Sequence, residues 1–150
     1  MNILYVCTGN TCRSPMAEGI TRALADKEGL PIVTLSAGLF AANGAPVTPF
    51  AVEAVKDIVD ISEHRSRPLS VPIMEAADIV VGMTEGHKAI LLRQFPDAKD
   101  KITTLAEWAG ETGDVPDPFG ESQEVYTICA ARLKELIEKG LVKHKAEIES

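Results

Sequence analysis

Short apolar runs alternate with amphipathic stretches along the chain, and the period switches between them. Asn2 to Val6 is an apolar run that predicts a first strand. "SPMAEGITRALADKEGLP" (14–31) then places Met16, Ile20, Ala23 and Leu24 on one helical face, with Pro15 in the first turn and Gly29 and Pro31 as stop signals. "IVTLS" (32–36) predicts a second strand, and "TPFAVEAVKDIVD" (48–60) a helix headed by Thr48 and Pro49 that spaces Val52, Val55, Ile58 and Val59 helically. "ADIVVGM" (77–83) is nearly unbroken apolar sequence, as a strand covered on both faces requires. "TEGHKAILLRQF" (84–95) predicts a helix capped by Thr84, "KITTL" (101–105) a fourth strand, and "AGETGDVPDPFGES" (109–122) a long polar loop. A closing amphipathic helix is expected from about Gln123 to about Ile148.

Strand and helix alternation of this kind implies an α/β fold, a parallel four-stranded sheet between two helical layers. With 150 residues, 45% of them hydrophobic, the chain can bury one core, so a single domain over 1–150 is expected. A net charge of −7 and a pI near 5.0 argue against nucleic acid or an anionic membrane surface as partner. No run approaches the roughly 18 to 20 apolar residues of a membrane span, and "ILYVC" lacks the charged leader of a signal peptide, so a cytoplasmic protein is expected. Three cysteines cannot close a disulfide framework, and in a reducing compartment a thiol pair points to chemistry.

Ligands of such folds sit at the carboxyl ends of the strands, where "CTGNTCRS" (7–14) falls. A loop between a strand end and a helix N-terminus gathers backbone N–H groups into an anion site. Gly9 and Asn10 both tolerate positive φ, which lets the amides of Thr8, Gly9, Asn10, Thr11 and Cys12 curl inward. Arg13 adds a planar fork for two phosphate oxygens. Cys7, at the bottom, is expected to react as a thiolate nucleophile aimed at phosphorus. A nucleotide P-loop needs Gly-Lys-Ser/Thr and a thioredoxin motif needs two residues between its cysteines; neither fits. The cysteines and His64, His87 and His144 show no metal-ligand spacing, so no metal or cofactor is expected.

"VCTGNTCRSPMAE" resembles the phosphate loop of the low-molecular-weight protein tyrosine phosphatase family, whose pattern is Cys, five residues, Arg, Ser/Thr. "SAG" (36–38), "HRSRPL" (64–69), "ADIVVGM" (77–83) and "DPFG" (117–120) resemble further segments of that family in the same order. The resemblance implies a three-layer, Rossmann-like phosphatase fold without a metal. It implies Cys7 as nucleophile, Arg13 as transition-state clamp and Asp117, in a flexible loop over the pocket, as the acid that protonates the leaving group. Without the family pattern Asp117 reads equally well as a solvated turn aspartate, since Asp-Pro is an ordinary loop pair, and Asp114 is a rival for the role. Ser14 would hydrogen-bond the thiolate, and Asn10 and His64 would brace the loop. Cys12 would form a reversible disulfide with Cys7 that protects it from over-oxidation, or else it is a small residue seating the loop.

Thr11 bears most on the substrate. Tyrosine-directed members usually carry a bulky aliphatic residue there, whereas the protein-arginine phosphatases, the bacterial branch the sequence resembles most, carry threonine. A phosphoguanidinium is planar, polar and narrow, and favours a hydroxyl and a carboxylate over apolar walls. Phe119 and Gly120 follow Asp-Pro where tyrosine-directed members often have tyrosines, and Phe40 is either another pocket wall or a residue packed under its loop. The expected activity is therefore hydrolysis of phosphoarginine in phosphorylated proteins, with phosphate as product and inhibitor. The alternative is phosphotyrosine hydrolysis. Arsenate reduction lacks its further cysteines in "VVGMTEGHKAIL", and a silent phosphoprotein-binding module does not need Cys7, Arg13 and Asp117 together.

Overall fold

A computed structural model describes residues 1–150. Four strands, β1 (Asn2–Cys7), β2 (Val33–Gly38), β3 (Ile79–Gly82) and β4 (Ile102–Thr104), form one sheet in the order β2-β1-β3-β4, every pair parallel. Parallel neighbours require crossovers, and helices supply them on both faces. Strand period 2 sorts β1 between two cores: Ile3, Tyr5 and Cys7 face the larger, Leu4 and Val6 the smaller. The larger core packs against α1 (Arg13–Glu28), α2 (Pro49–Val55), α5 (Leu105–Trp108), α6 (Gln123–Lys143) and α7 (Lys145–Glu149). The smaller is covered by α3 (Val71–Ala76) and α4 (Glu85–Gln94). The expected α/β/α architecture with a four-stranded parallel sheet is observed, and no helix is long and apolar enough to cross a membrane.

The departures from expectation lie at helix ends and in short elements. The second helix stops at Val55 rather than Asp60; the chain continues in turns, closed when Asp60 Oδ1 accepts from the Ser62 amide at 2.9 Å. The closing helix breaks at His144, whose ring stacks on Trp108 at 5.1 Å while Nε2 lies 2.9 Å from the Trp108 carbonyl. Helix α3 has six residues, α5 four, and a 3₁₀ segment (Pro96–Lys101) precedes β4. Each is too short to show a helical period, and each owes its start to a local signal: Ser70 caps α3, Thr104 caps α5, and Pro96 opens the 3₁₀ segment.

Candidate active site

At the carboxyl end of β1 the chain turns through residues 8–12 and enters α1, and none of those five amides donates a hydrogen bond to the protein. The N-cap position of α1, Cys12, provides no side-chain cap, so the helix end is also open to an anion. Asn10 holds the turn with φ of 56°, the only non-glycine residue at positive φ. Gly9, expected to share that task, does not: its φ is ordinary, and a Cβ there would make only a normal contact with Thr11 Oγ1 at 3.6 Å. The glycine that the loop requires is Gly38, at the end of β2, where a Cβ would lie 2.7 Å from the Thr8 carbonyl and from Ala41 Cβ.

Beneath the loop every proton has an assigned direction. Asn10 Oδ1 accepts from the Arg67 amide at 3.0 Å, so Nδ2 donates, to Ser14 Oγ at 2.8 Å and Ser36 Oγ at 2.9 Å. Ser36 passes its proton to Glu18 Oε1 at 2.6 Å. Ser14, already an acceptor, has its hydroxyl proton left for Cys7 Sγ at 2.8 Å, which suits a thiolate. His64 closes the floor from the other side, its Nε2 3.0 Å from the Asn10 carbonyl oxygen. Burial holds this imidazole below its ordinary range, so Nε2–H donates from a neutral ring.

Arg13 is 4% exposed. Its Nη1 donates to the Val115 carbonyl at 3.0 Å, Nη2 lies 3.6 Å from Asp117 Oδ2, and buried Nε has no partner. A buried guanidinium with an unused donor beside free amides is the arrangement of an anion clamp. The pocket above it has a volume of about 220 Å³ and is lined by Cys7, Thr8, Gly9, Thr11, Cys12, Arg13, Asp117 and Phe119. The two loop cysteines differ in environment. Burial, with Cys7 and Asp117 close by, pushes the Cys12 thiol up to about 12, so it keeps its proton and points it at Asp117 Oδ1, 3.8 Å away.

Asp117 and Asp114 are separated by what they touch. Asp114 Oδ1 accepts from the Glu85 amide at 2.8 Å and caps α4, while the half-exposed Asp117 faces the pocket. The loop that carries them is tied down over its first half, by Glu111 to Arg132 and Lys139, by Asp114 to α4, and by the Val115 amide to the Met83 carbonyl. Past Val115 the ties are fewer: Asp117 reaches Arg13 and Cys12, and the Phe119 amide donates to Asp117 Oδ1 at 3.1 Å. Phe119 lines the pocket; Phe40, equally exposed at 70%, does not, and neither does it pack under its loop. Its amide, not its ring, serves the site by donating to the Thr8 carbonyl at 3.0 Å.

A model of the low molecular weight phosphotyrosine protein phosphatases matches residues 2–149. The chain belongs to that family. It is 46% identical over 138 residues to the protein-arginine-phosphatase of Bacillus subtilis, covering 91% of this chain and 92% of that one. Among solved structures it is similar to the C7S mutant of the YwlE arginine phosphatase with a phosphorylated active-site serine, with a TM-score of 0.93, 44% identity and coverage of 97% and 96%. It is also similar to a low molecular weight protein tyrosine phosphatase from T. tengcongensis, with a TM-score of 0.92, 46% identity and coverage of 95% and 99%. Within this family member, the residues that sequence alone did not single out are Ser36 as partner of Asn10, Glu18 behind it, the Val115 carbonyl on Arg13, and His87 on the loop. "SAG" was a signal for the first; the others have no local spacing that announces them.

Proposed function

We propose that this family member is a protein phosphatase that hydrolyses phosphoarginine through a cysteinyl-phosphate at Cys7. The observation that carries the chemistry is the loop itself: five amides without a protein acceptor, an open helix N-terminus and the unpartnered Nε of Arg13, in one loop whose pocket Cys7 also lines. Cys7 attacks phosphorus in line as the P–N bond breaks, the Arg13 fork and the amides hold the equatorial oxygens, and Asp117 gives its proton to the leaving guanidine. Water then attacks phosphorus, its proton passes to Asp117, the S–P bond breaks, and phosphate leaves. Phosphate, filling the same cradle, competes with substrate.

The substrate assignment is supported by Thr11 and Asp117 on the pocket lining, a hydroxyl and a carboxylate for guanidinium N–H groups, and by the arginine phosphatases among the similar proteins. A second reading, phosphotyrosine, draws on the family's description and on Phe119, whose exposed ring at the rim could flank a phenol. We read the chain as one cytoplasmic domain acting on phosphorylated proteins, with Cys12 attacking a Cys7 sulfenic acid formed by peroxide, releasing water and a reversible disulfide. Release of inorganic phosphate from a phosphoarginine peptide and a phosphotyrosine peptide tests the reading. Faster release from phosphoarginine, absent in Cys7→Ser, is expected; preference for phosphotyrosine would overturn the substrate and leave the mechanism standing.

A further inference from the structure

One buried titratable side chain beside the site has no part in the chemistry above. His87, in the first turn of α4, is 6% exposed and places Nε2 3.0 Å from Thr8 Oγ1 on the phosphate loop. The position is built rather than incidental. Thr84 Oγ1 accepts from the His87 amide at 3.0 Å and Asp114 accepts from the Glu85 amide, which sets where α4 begins. Gly82, at the end of β3, leaves room for the ring: a Cβ there would lie 3.2 Å from His87 Cβ.

The direction of the His87–Thr8 bond follows from the other ring nitrogen. Nδ1 is buried and has no partner. A proton on Nδ1 would be an unpaired buried N–H, which costs more than an unpaired lone pair, so the single proton of the neutral ring sits on Nε2 and is donated to Thr8. The charged ring is disfavoured by burial and by Arg13, which together bring its pKa down to about 4 against the smaller opposing pull of Asp114 and Asp117. Thr8 Oγ1 is thereby an acceptor from His87 with one lone pair and one proton left, on an exposed residue lining the pocket with Asp117 and Phe119.

We propose that His87 is a positioning residue that orients the Thr8 hydroxyl to accept a hydrogen bond from a guanidinium N–H of the substrate, so that the pair selects a guanidine leaving group over a phenol. The inference deepens the phosphoarginine reading and rests on it. A guanidinium arrives with several N–H donors that lose water on entering the pocket, and Asp117 alone cannot pair them all; a phenol brings none and gains nothing from Thr8.

The test is the ratio of kcat/KM on a phosphoarginine peptide to that on para-nitrophenyl phosphate, for wild type, Thr8→Val, Thr8→Ser, His87→Leu and His87→Gln. The ratio should fall about ten-fold in Thr8→Val and His87→Leu, and return to within about two-fold of wild type in Thr8→Ser and His87→Gln, where a hydroxyl and an N–H donor are restored. The double variant Thr8→Val with His87→Leu should be no worse than Thr8→Val alone. Equal losses on both substrates, or additive losses in the double variant, would overturn the inference while a wild type active on phosphoarginine keeps the substrate reading. A wild type inactive on phosphoarginine overturns both. Should His87→Leu fail to fold, His87→Phe, which keeps a ring but has no N–H donor, takes its place and should lower the ratio about ten-fold; an unchanged ratio there overturns the role of His87.

Discussion

The floor of the phosphate loop and its rim are built on opposite terms. Below the loop, Asn10, Ser14 and Ser36 are buried and joined to Glu18, His64 and the Arg67 amide in a network with no unused proton. Above it, Asp117 is half exposed, Phe119 is 70% exposed, and the segment past Val115 is tied to the rest of the molecule only by Asp117 to Arg13 and Cys12 and by the Cys129 thiol to the Pro116 carbonyl, beside bonds within itself. A satisfied polar network in a low-dielectric interior is rigid, since moving any member strands the others. An exposed segment with few tertiary bonds can reshape at small cost. The division agrees with the proposed function, in which phosphorus chemistry, which needs fixed donors, falls to the floor and choice of leaving group to the more exposed pocket lining.

Substitutions at the two levels should therefore fail differently. Cys7→Ser removes the proposed nucleophile and should lower kcat by more than about 10⁴-fold on every phosphate ester or amide, measured by phosphate release. Asp117→Asn should lower kcat on phosphoarginine by roughly 10²- to 10³-fold and much less on para-nitrophenyl phosphate, whose leaving group needs no proton. Asn10→Ala, at the floor, should cost stability as well as rate, about 1–3 kcal/mol in chemical denaturation, because Ser14, Ser36 and the Arg67 amide all lose a partner. Phe119, at the rim, carries no such network. An alanine at Asn10 that leaves stability unchanged would erase the contrast.

Acid should expose the same division more gently. His87 titrates near 4 in the fold and near its ordinary 6.5 unfolded. As pH falls through that window the unfolded chain takes up a proton that the native protein does not, so stability is full above about 6.5 and lost toward 4. His64, also lowered, adds in the same direction. The His87 contribution is on the order of 2–3 kcal/mol, and in denaturation at pH 7 and pH 5 wild type should lose stability relative to His87→Gln, which has no imidazole to protonate at that position, as the pH falls. Parallel curves would mean that His87 does not titrate in this range.

What the sequence made legible was local. Cys7 and Arg13 belong to one eight-residue segment, and the apolar runs of β1 and β3 declare themselves because both faces of the sheet are covered. What it concealed was brought together across the chain: Ser36 is 26 residues from Asn10, His87 is 79 from Thr8, and Val115 is 102 from Arg13. No spacing predicts such contacts; the parallel sheet does, by delivering the carboxyl ends of β1, β2 and β3 to one edge. Gly9 and Gly38 show the same limit. Both glycines stand in motif segments, yet only the packing of β2 against the loop shows that Gly38 is the one with no room for a side chain.

The central claim is that the floor performs the chemistry and the side chains lining the pocket choose the leaving group, and Thr11, one of them, tests it most directly. The measurement is kcat/KM on a phosphoarginine peptide and a phosphotyrosine peptide for wild type and Thr11→Ile. Wild type should favour phosphoarginine, and Thr11→Ile should lose at least about ten-fold of that preference, with turnover of phosphotyrosine maintained or raised. A Thr11→Ile enzyme that slows equally on both peptides would contradict the account.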